Sequence, residues 1–249
     1  MKKGKRICRV LVIAFLLGLL LCLYPYLHGR LLEQQMEQTD RIFWAQREPV
    51  VTEPDSQKPE PIIEDNSPLA QLRRDAESYN ERLFEEKQIG LDGPVAYETP
   101  SFTLADYGLV GEAFAVLTIP ALNLEMPVYL GAGSVHLAAG AAHLSETSLP
   151  MGGNNTNCVL AGHRGWNGAA YFRDLPKLQT GDEVIITNLW ETLTYEVVDM
   201  KIVSPNDVEA IRIQENRDLL TLLTCYTSAA GWKQRYLVIC ERAYEMEVS

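Results

Sequence analysis

Three kinds of hydrophobic pattern follow one another along this chain of 249 residues. The first is continuous. Residues 10–27 (VLVIAFLLGLLLCLYPYL) form an uncharged run of 18, the length a helix needs to cross a hydrocarbon core. The second has a helical period. In LAQLRRDAESYNERLFEEK, residues 69–87, apolar side chains fall at Leu69, Leu72, Ala76, Tyr79, Leu83 and Phe84. Those steps of three and four predict an amphipathic helix, entered through Ser67 as cap and Pro68 in the first turn. The third begins at Ala113, where short apolar runs alternate with turn residues. Strands are predicted near 113–119, 126–130, 157–161, 183–188, 193–203, 219–224 and 235–241, with short helical patches near 134–139 and 168–173. Such spacing predicts a mostly antiparallel sandwich or barrel, and periodicity does not choose between them.

Charge gives the continuous run a direction. Lys2, Lys3, Lys5, Arg6 and Arg9 precede it with no acidic residue, which predicts a cytoplasmic N-terminus and an exported remainder. The run is longer than the apolar core of a signal peptide, and Tyr24-Pro25-Tyr26-Leu27-His28 offers no small-residue cleavage site, so it reads as a retained anchor. Five prolines and seven acidic or amide residues between 49 and 68 predict a solvated spacer. The division expected is therefore a basic tail (1–9), a transmembrane helix (10–28), a juxtamembrane segment and Pro/acidic linker (29–68), a helix and loop (69–107) and a strand-rich domain (108–249). All 33 acidic residues lie beyond the anchor. A nucleic-acid partner asks for the opposite balance and is excluded.

Candidate chemistry comes from scarce residues. Cys158, Cys225 and Cys240 lie outside the anchor, an odd number in an exported domain large enough to need no staples. Cys158 and Cys240 sit inside strand-like runs and read as small buried hydrophobes. Cys225 instead stands where a strand run gives way to a turn. His163 holds the same kind of position after CVLAG. Arg235 opens the next strand, ten residues after Cys225, and antiparallel pairing across the intervening loop brings the two together. Cysteine, histidine and arginine together suit acyl transfer: a thiolate attacks an amide, imidazole moves the proton, and guanidinium faces the oxyanion. No metal or other cofactor is required. A papain-like protease wants an Asn or Asp partner and a cysteine at a helix start. An L,D-transpeptidase wants Ser-x-Gly-Cys, which Leu222-Leu223-Thr224-Cys225 does not supply. A non-catalytic surface adhesin or assembly protein explains the anchor and the acidic surface but gives no reason for the three residues.

The segments LAGHRG (160–165), TLLTC (221–225) and RYLV (235–238) resemble, in order, the three motifs of the sortase superfamily. VLTIPALNLEMPVYLG (116–131), the stretch 139–186 and SYNERL (78–83) are similar to class C sortases, the pilin polymerases of Gram-positive bacteria. The resemblance covers about residues 78–242 and implies an eight-stranded β-barrel with short helices, preceded by the N-terminal helix and anchor. It implies cleavage of an LPxTG-like sorting signal after Thr and a thioester on Cys225. The acyl group then passes to an amine, a pilin lysine in class C or a peptidoglycan precursor on the wall-anchoring route. His163 takes the role of acid and base, Arg235 that of oxyanion and substrate residue, and Thr224 helps shape the substrate groove. His143, in HLSETSLP, takes a structural role under the barrel. Class C enzymes carry a lid loop with an Asp-Pro-aromatic motif, and the equivalent stretch here reads Asp92-Gly93-Pro94-Val95-Ala96-Tyr97, with an inserted Gly and a displaced aromatic. The usual proline soon after the cysteine is missing, and the sequence stops at RAYEMEVS without the second apolar run common in that class. The whole is expected at the cell membrane, with one pass and the barrel outside.

Overall fold

The computed structural model describes residues 2–47, 67–93 and 97–244, the first few by their backbone only. The apolar N-terminal run forms the first part of one unbroken helix, α1 (Lys2–Gln46), and Pro25 lies within it. Residues 11–26 are exposed, and among the described residues this is the one helix long and apolar enough to cross a membrane. Its second half packs on the rest of the protein: Phe43 is fully buried, and Arg47 donates from Nε to the carbonyl of Asn188 at 3.0 Å.

The amphipathic helix forms as α2 (Pro68–Glu85). Ser67 Oγ accepts from the Ala70 amide at 3.2 Å, satisfying one of the free N–H groups of the first turn, and Pro68 stands where no such group is needed. Leu69, Leu72, Ala76, Tyr79 and Leu83 are buried as the period predicts, whereas Phe84 stays exposed. Asn80 joins them on the buried face because the loop beneath matches it: its Oδ1 accepts from the Leu149 amide at 2.7 Å. The chain then leaves the helix through Lys87 and Gln88, both at positive φ. The stretch from 90 to 108 is less of a surface loop than its glycines and prolines suggest. It contains single 3₁₀ turns at Ile89–Asp92 and Leu104–Tyr107, and Leu91 is fully buried.

Eight strands close into a barrel: β1 (Ala113–Ile119), β2 (Leu124–Leu130), β3 (Ala141–His143), β4 (Thr156–Gly162), β5 (Glu183–Asn188), β6 (Thr192–Val203), β7 (Asp218–Thr227) and β8 (Lys233–Arg242). Around the barrel the order is β1-β2-β3-β4-β7-β8-β6-β5. Most neighbours are antiparallel, but β2 with β3 and β4 with β7 are parallel. Strand β3 was not predicted, because three residues are too few to show alternation. Short helix α3 (Ser134–Ala139) carries the chain to it, and the second helical patch lies slightly later than expected, as 3₁₀ turns over Tyr171–Lys177. Phe114, Leu117, Ile119, Leu160, Leu220, Leu222 and Val238 fill the interior, each contributing roughly 1.5–3 kcal/mol by leaving water. Cys158 and Cys240 lie buried among them, and burial pushes both thiols well up. His143 is fully enclosed. Its Nε2 donates to the carbonyl of Ser148 at 3.0 Å, with that of Thr147 at 3.1 Å, which pins the loop after β3. Burial lowers its pKa to about 4, so the ring is neutral.

Candidate active site

Two strand pairings assemble the site. In the parallel pair, Gly162 at the end of β4 lies opposite Thr224 of β7, so the next residues, His163 and Cys225, emerge side by side. In the antiparallel pair, Cys225 lies opposite Arg235 of β8. Cys225 therefore sits within β7, which runs on to Thr227, and not at its end. Alternation decides where it points. Thr224 is buried and donates from Oγ1 to the Gly162 carbonyl at 2.8 Å, tying the two strands together one residue before the pair. Cys225, next along, is exposed.

His163, Cys225 and Arg235 line one cavity of about 300 Å³. Its remaining walls are mostly apolar, with Leu137, Ala161, Leu223 and Leu237 among them, and Tyr97 and Glu98 at another side. A larger cavity of about 440 Å³, beside α2 and the turn at 151–156, contains none of the three. Thiol, imidazole and guanidinium around one mostly apolar cleft are the parts needed to attack an amide, move its proton and face the resulting oxyanion.

The histidine is positioned by rings that sequence reasoning did not single out. His163 stacks on Trp166, centroids 4.6 Å apart and planes 15° from parallel, and meets Tyr171 edge-on at 6.0 Å. Trp166 is set there by a two-residue hairpin loop. Trp166 and Ala169 exchange backbone hydrogen bonds around Asn167 and Gly168, both at positive φ, the conformation that the dipeptide Asn-Gly favours. That dipeptide was the available signal. Partial burial lowers the pKa of His163 below its usual value, favouring neutral imidazole at neutral pH. Arg164, the residue after His163, stacks its guanidinium on the ring of Tyr226, the residue after Cys225, at 4.9 Å. Trp232, in the β7–β8 loop, is exposed and lines no part of the cavity.

Two of the three residues expected in a lid are described. Asp92 pairs with Arg212 at 3.2 Å, and Arg212 also holds Glu209 at 2.6 Å. Tyr97 lines the cavity, and its hydroxyl donates to the Leu91 carbonyl at 3.1 Å. Pro94 lies outside the described residues.

Comparison with known proteins agrees with this architecture. A model of the sortase domain matches residues 117–243. Sortase D of Bacillus subtilis (strain 168) is 31% identical over 134 residues, 53% of this chain and 65% of that relative, so the likeness spans just under two thirds of the relative's length. Among solved structures, sortase C2 of pilus island 1 of group B Streptococcus superposes with a TM-score of 0.61 at 33% identity, covering 72% of this chain and 99% of that one. Sortase C of Clostridium perfringens, solved with a C-terminal cell wall sorting motif, gives a TM-score of 0.58 at 31% identity over 74% of this chain and 92% of that one. With the eight-stranded barrel and the family's motifs converging at one cleft, the chain belongs to the sortase family.

Proposed function

We propose that this protein is a membrane-anchored transpeptidase that cleaves an LPxTG-like sorting signal through a thioester on Cys225 and passes the acyl group to a pilin lysine. The single observation that carries this is the double register: Cys225 lies opposite Arg235 of β8, and pairing of Gly162 with Thr224 brings His163, the residue after β4, to the same cavity as Cys225. Neutral His163 takes the thiol proton as Cys225 attacks the amide carbon. Arg235 faces the oxyanion with donors that keep their charge. The tetrahedral intermediate collapses to the thioester as imidazolium gives its proton to the departing amine. The incoming amine reverses these transfers: it attacks the thioester, imidazole takes its proton, and the thiol is restored. Apolar walls at Ala161, Leu223 and Leu237 suit the leucine and proline of a sorting signal. The likeness to a sortase C of a pilus island favours the lysine acceptor over a peptidoglycan precursor.

The remaining assignments belong to the same reading. Residues 10–28 anchor the enzyme with its basic tail inside and the barrel outside. Asp92, held by Arg212, and Tyr97, which lines the cleft, take the part of a lid in this reading. The test is mass spectrometry of the enzyme incubated with an LPxTG-type peptide. A thioester adduct is expected on the native enzyme and none on Cys225→Ala. Cleavage that persists in that variant rules the mechanism out. Supplying a pilin and a wall-precursor mimic side by side then distinguishes the two acceptors.

A further inference from the structure

A second cleft adjoins the first through one ring. Between α1 and β2 lies a cavity of about 470 Å³ lined by Glu33, Glu37 and Asp40 of the helix, by Glu125 of the strand and by Ala169, Ala170 and Tyr171. Tyr171 is the residue that meets His163 edge-on. Glu33, Glu37 and Glu125 form an exposed acidic rim, and Asp40 lies at its floor with 8% of its surface accessible. Glu33 is shared with Arg30 of its own helix at 3.6 Å; among the described residues Glu37, Asp40 and Glu125 form no ion pair. Asp40 Oδ1 is buried without any hydrogen-bond partner. An ionised carboxylate so placed is costly unless a counter-charge arrives. Burial first, and then Glu125 and Glu37, push its pKa up to about 7.

What could bring that charge follows from the spacing. Among the described residues no three carboxylates, histidines or cysteines gather closely enough to hold a metal ion. A spread rim over a buried floor suits an elongated organic cation instead, an ammonium on a flexible stem that reaches in from solvent. We propose that this cleft docks a lysine side chain of the acceptor protein, flanking the lysine that reacts, with Asp40 as its buried counter-charge. This rests on the transpeptidase reading above for the identity of the partner, though not for the binding itself. The cleft would hold the acceptor by a residue that is not consumed, beside the loop that carries His163.

The experiment separates the two. The full chain bearing Cys225→Ala, in detergent micelles at low salt, is titrated with trilysine amide, with a trinorleucine amide and with calcium chloride. Trilysine amide is expected to bind and its neutral analogue not to. The triple variant E37Q/D40N/E125Q should weaken trilysine binding about tenfold, the sum of a few partly exposed charge pairs. E37Q and E125Q singly, both at exposed positions, should each give a smaller part of that loss and keep the fold. Trilysine affinity equal in native and triple-variant proteins overturns the proposal. So does absence of trilysine binding, or calcium binding in its place. With Cys225 restored, the triple variant should raise KM for a lysine-rich acceptor by a similar factor and leave thioester formation unchanged. Failure of any thioester to form would count against the transpeptidase reading and leave the binding result to decide this one.

Discussion

Thr224 and Cys225 are adjacent yet do opposite things, since successive strand residues face opposite sides. Removing the hydroxyl in Thr224→Val takes away the tie to Gly162 and should cost about 1 kcal/mol of stability. Peptide turnover should fall as well, because that tie lies one residue before both His163 and Cys225; thermal melts and kcat/KM check the two halves. His163 offers a pH test. Burial lowers its pKa, so if neutral imidazole is the active form, kcat/KM rises with pH through a value below 6.5. Trp166→Ala uncovers the ring, and the acid limb should move up toward 6.5. An unmoved limb would separate the stack from the titration. Asp40 has the opposite sign. Its folded pKa, about 7, exceeds that of the unfolded chain, so the native state holds the extra proton. Stability should be highest below pH 4 in this respect and fall as pH rises toward 7. Asp40→Asn should flatten that slope in urea melts taken across the window.

The elements around the site are held by backbone contacts that leave little slack. Gly168, at the tip of the hairpin that presents Trp166, lies against the backbone of α1: a Cβ there would run into the carbonyl oxygen of Pro25, and one on Gly29 would come within 2.9 Å of Gly168. Gly168→Ala combines that clash with a φ of +94°, unfavourable for alanine. It should loosen the hairpin and reduce kcat more than it raises KM, read from steady-state rates on a sorting-signal peptide. The loop beyond α2 makes the converse case. Asp92 is tied to Arg212 at the surface, and Tyr97 reaches the cleft. If the segment gates the cleft, deleting residues 90–98 should raise peptide turnover, and an equal rate in the shortened enzyme would show that it does not.

Across the whole molecule, the barrel and the long N-terminal helix are not independent. The second half of α1 lies on the barrel, with Phe43 buried and Arg47 bonded to Asn188 and Thr192. The polar stretch after residue 28, with its scattered apolar positions, continues the helix as far as Gln46. One narrow face of buried side chains is enough to dock it on the barrel while its other faces stay wet.

What the chain declares on its own is local. Leu69, Leu72, Ala76, Tyr79 and Leu83 announce α2, an uncharged run of 18 announces the apolar part of α1, and seven of the eight strands stand close to where alternation and turn residues put them. The family motifs also name His163, Cys225 and Arg235, and the short β7–β8 connection already brings the last two together. The rest depends on contacts between distant segments. Pairing of β4 with β7 joins residues 62 positions apart and is what sets histidine beside cysteine. Nothing in either strand's own pattern selects its neighbour, because side-chain alternation fixes a face and leaves the partner open. Strand β3, the stack of Trp166 on His163, the burial of Asp40 and the closure of a barrel in place of a sandwich are likewise products of packing. Periodicity reports which side of an element meets the core, and only the folded chain decides what waits there.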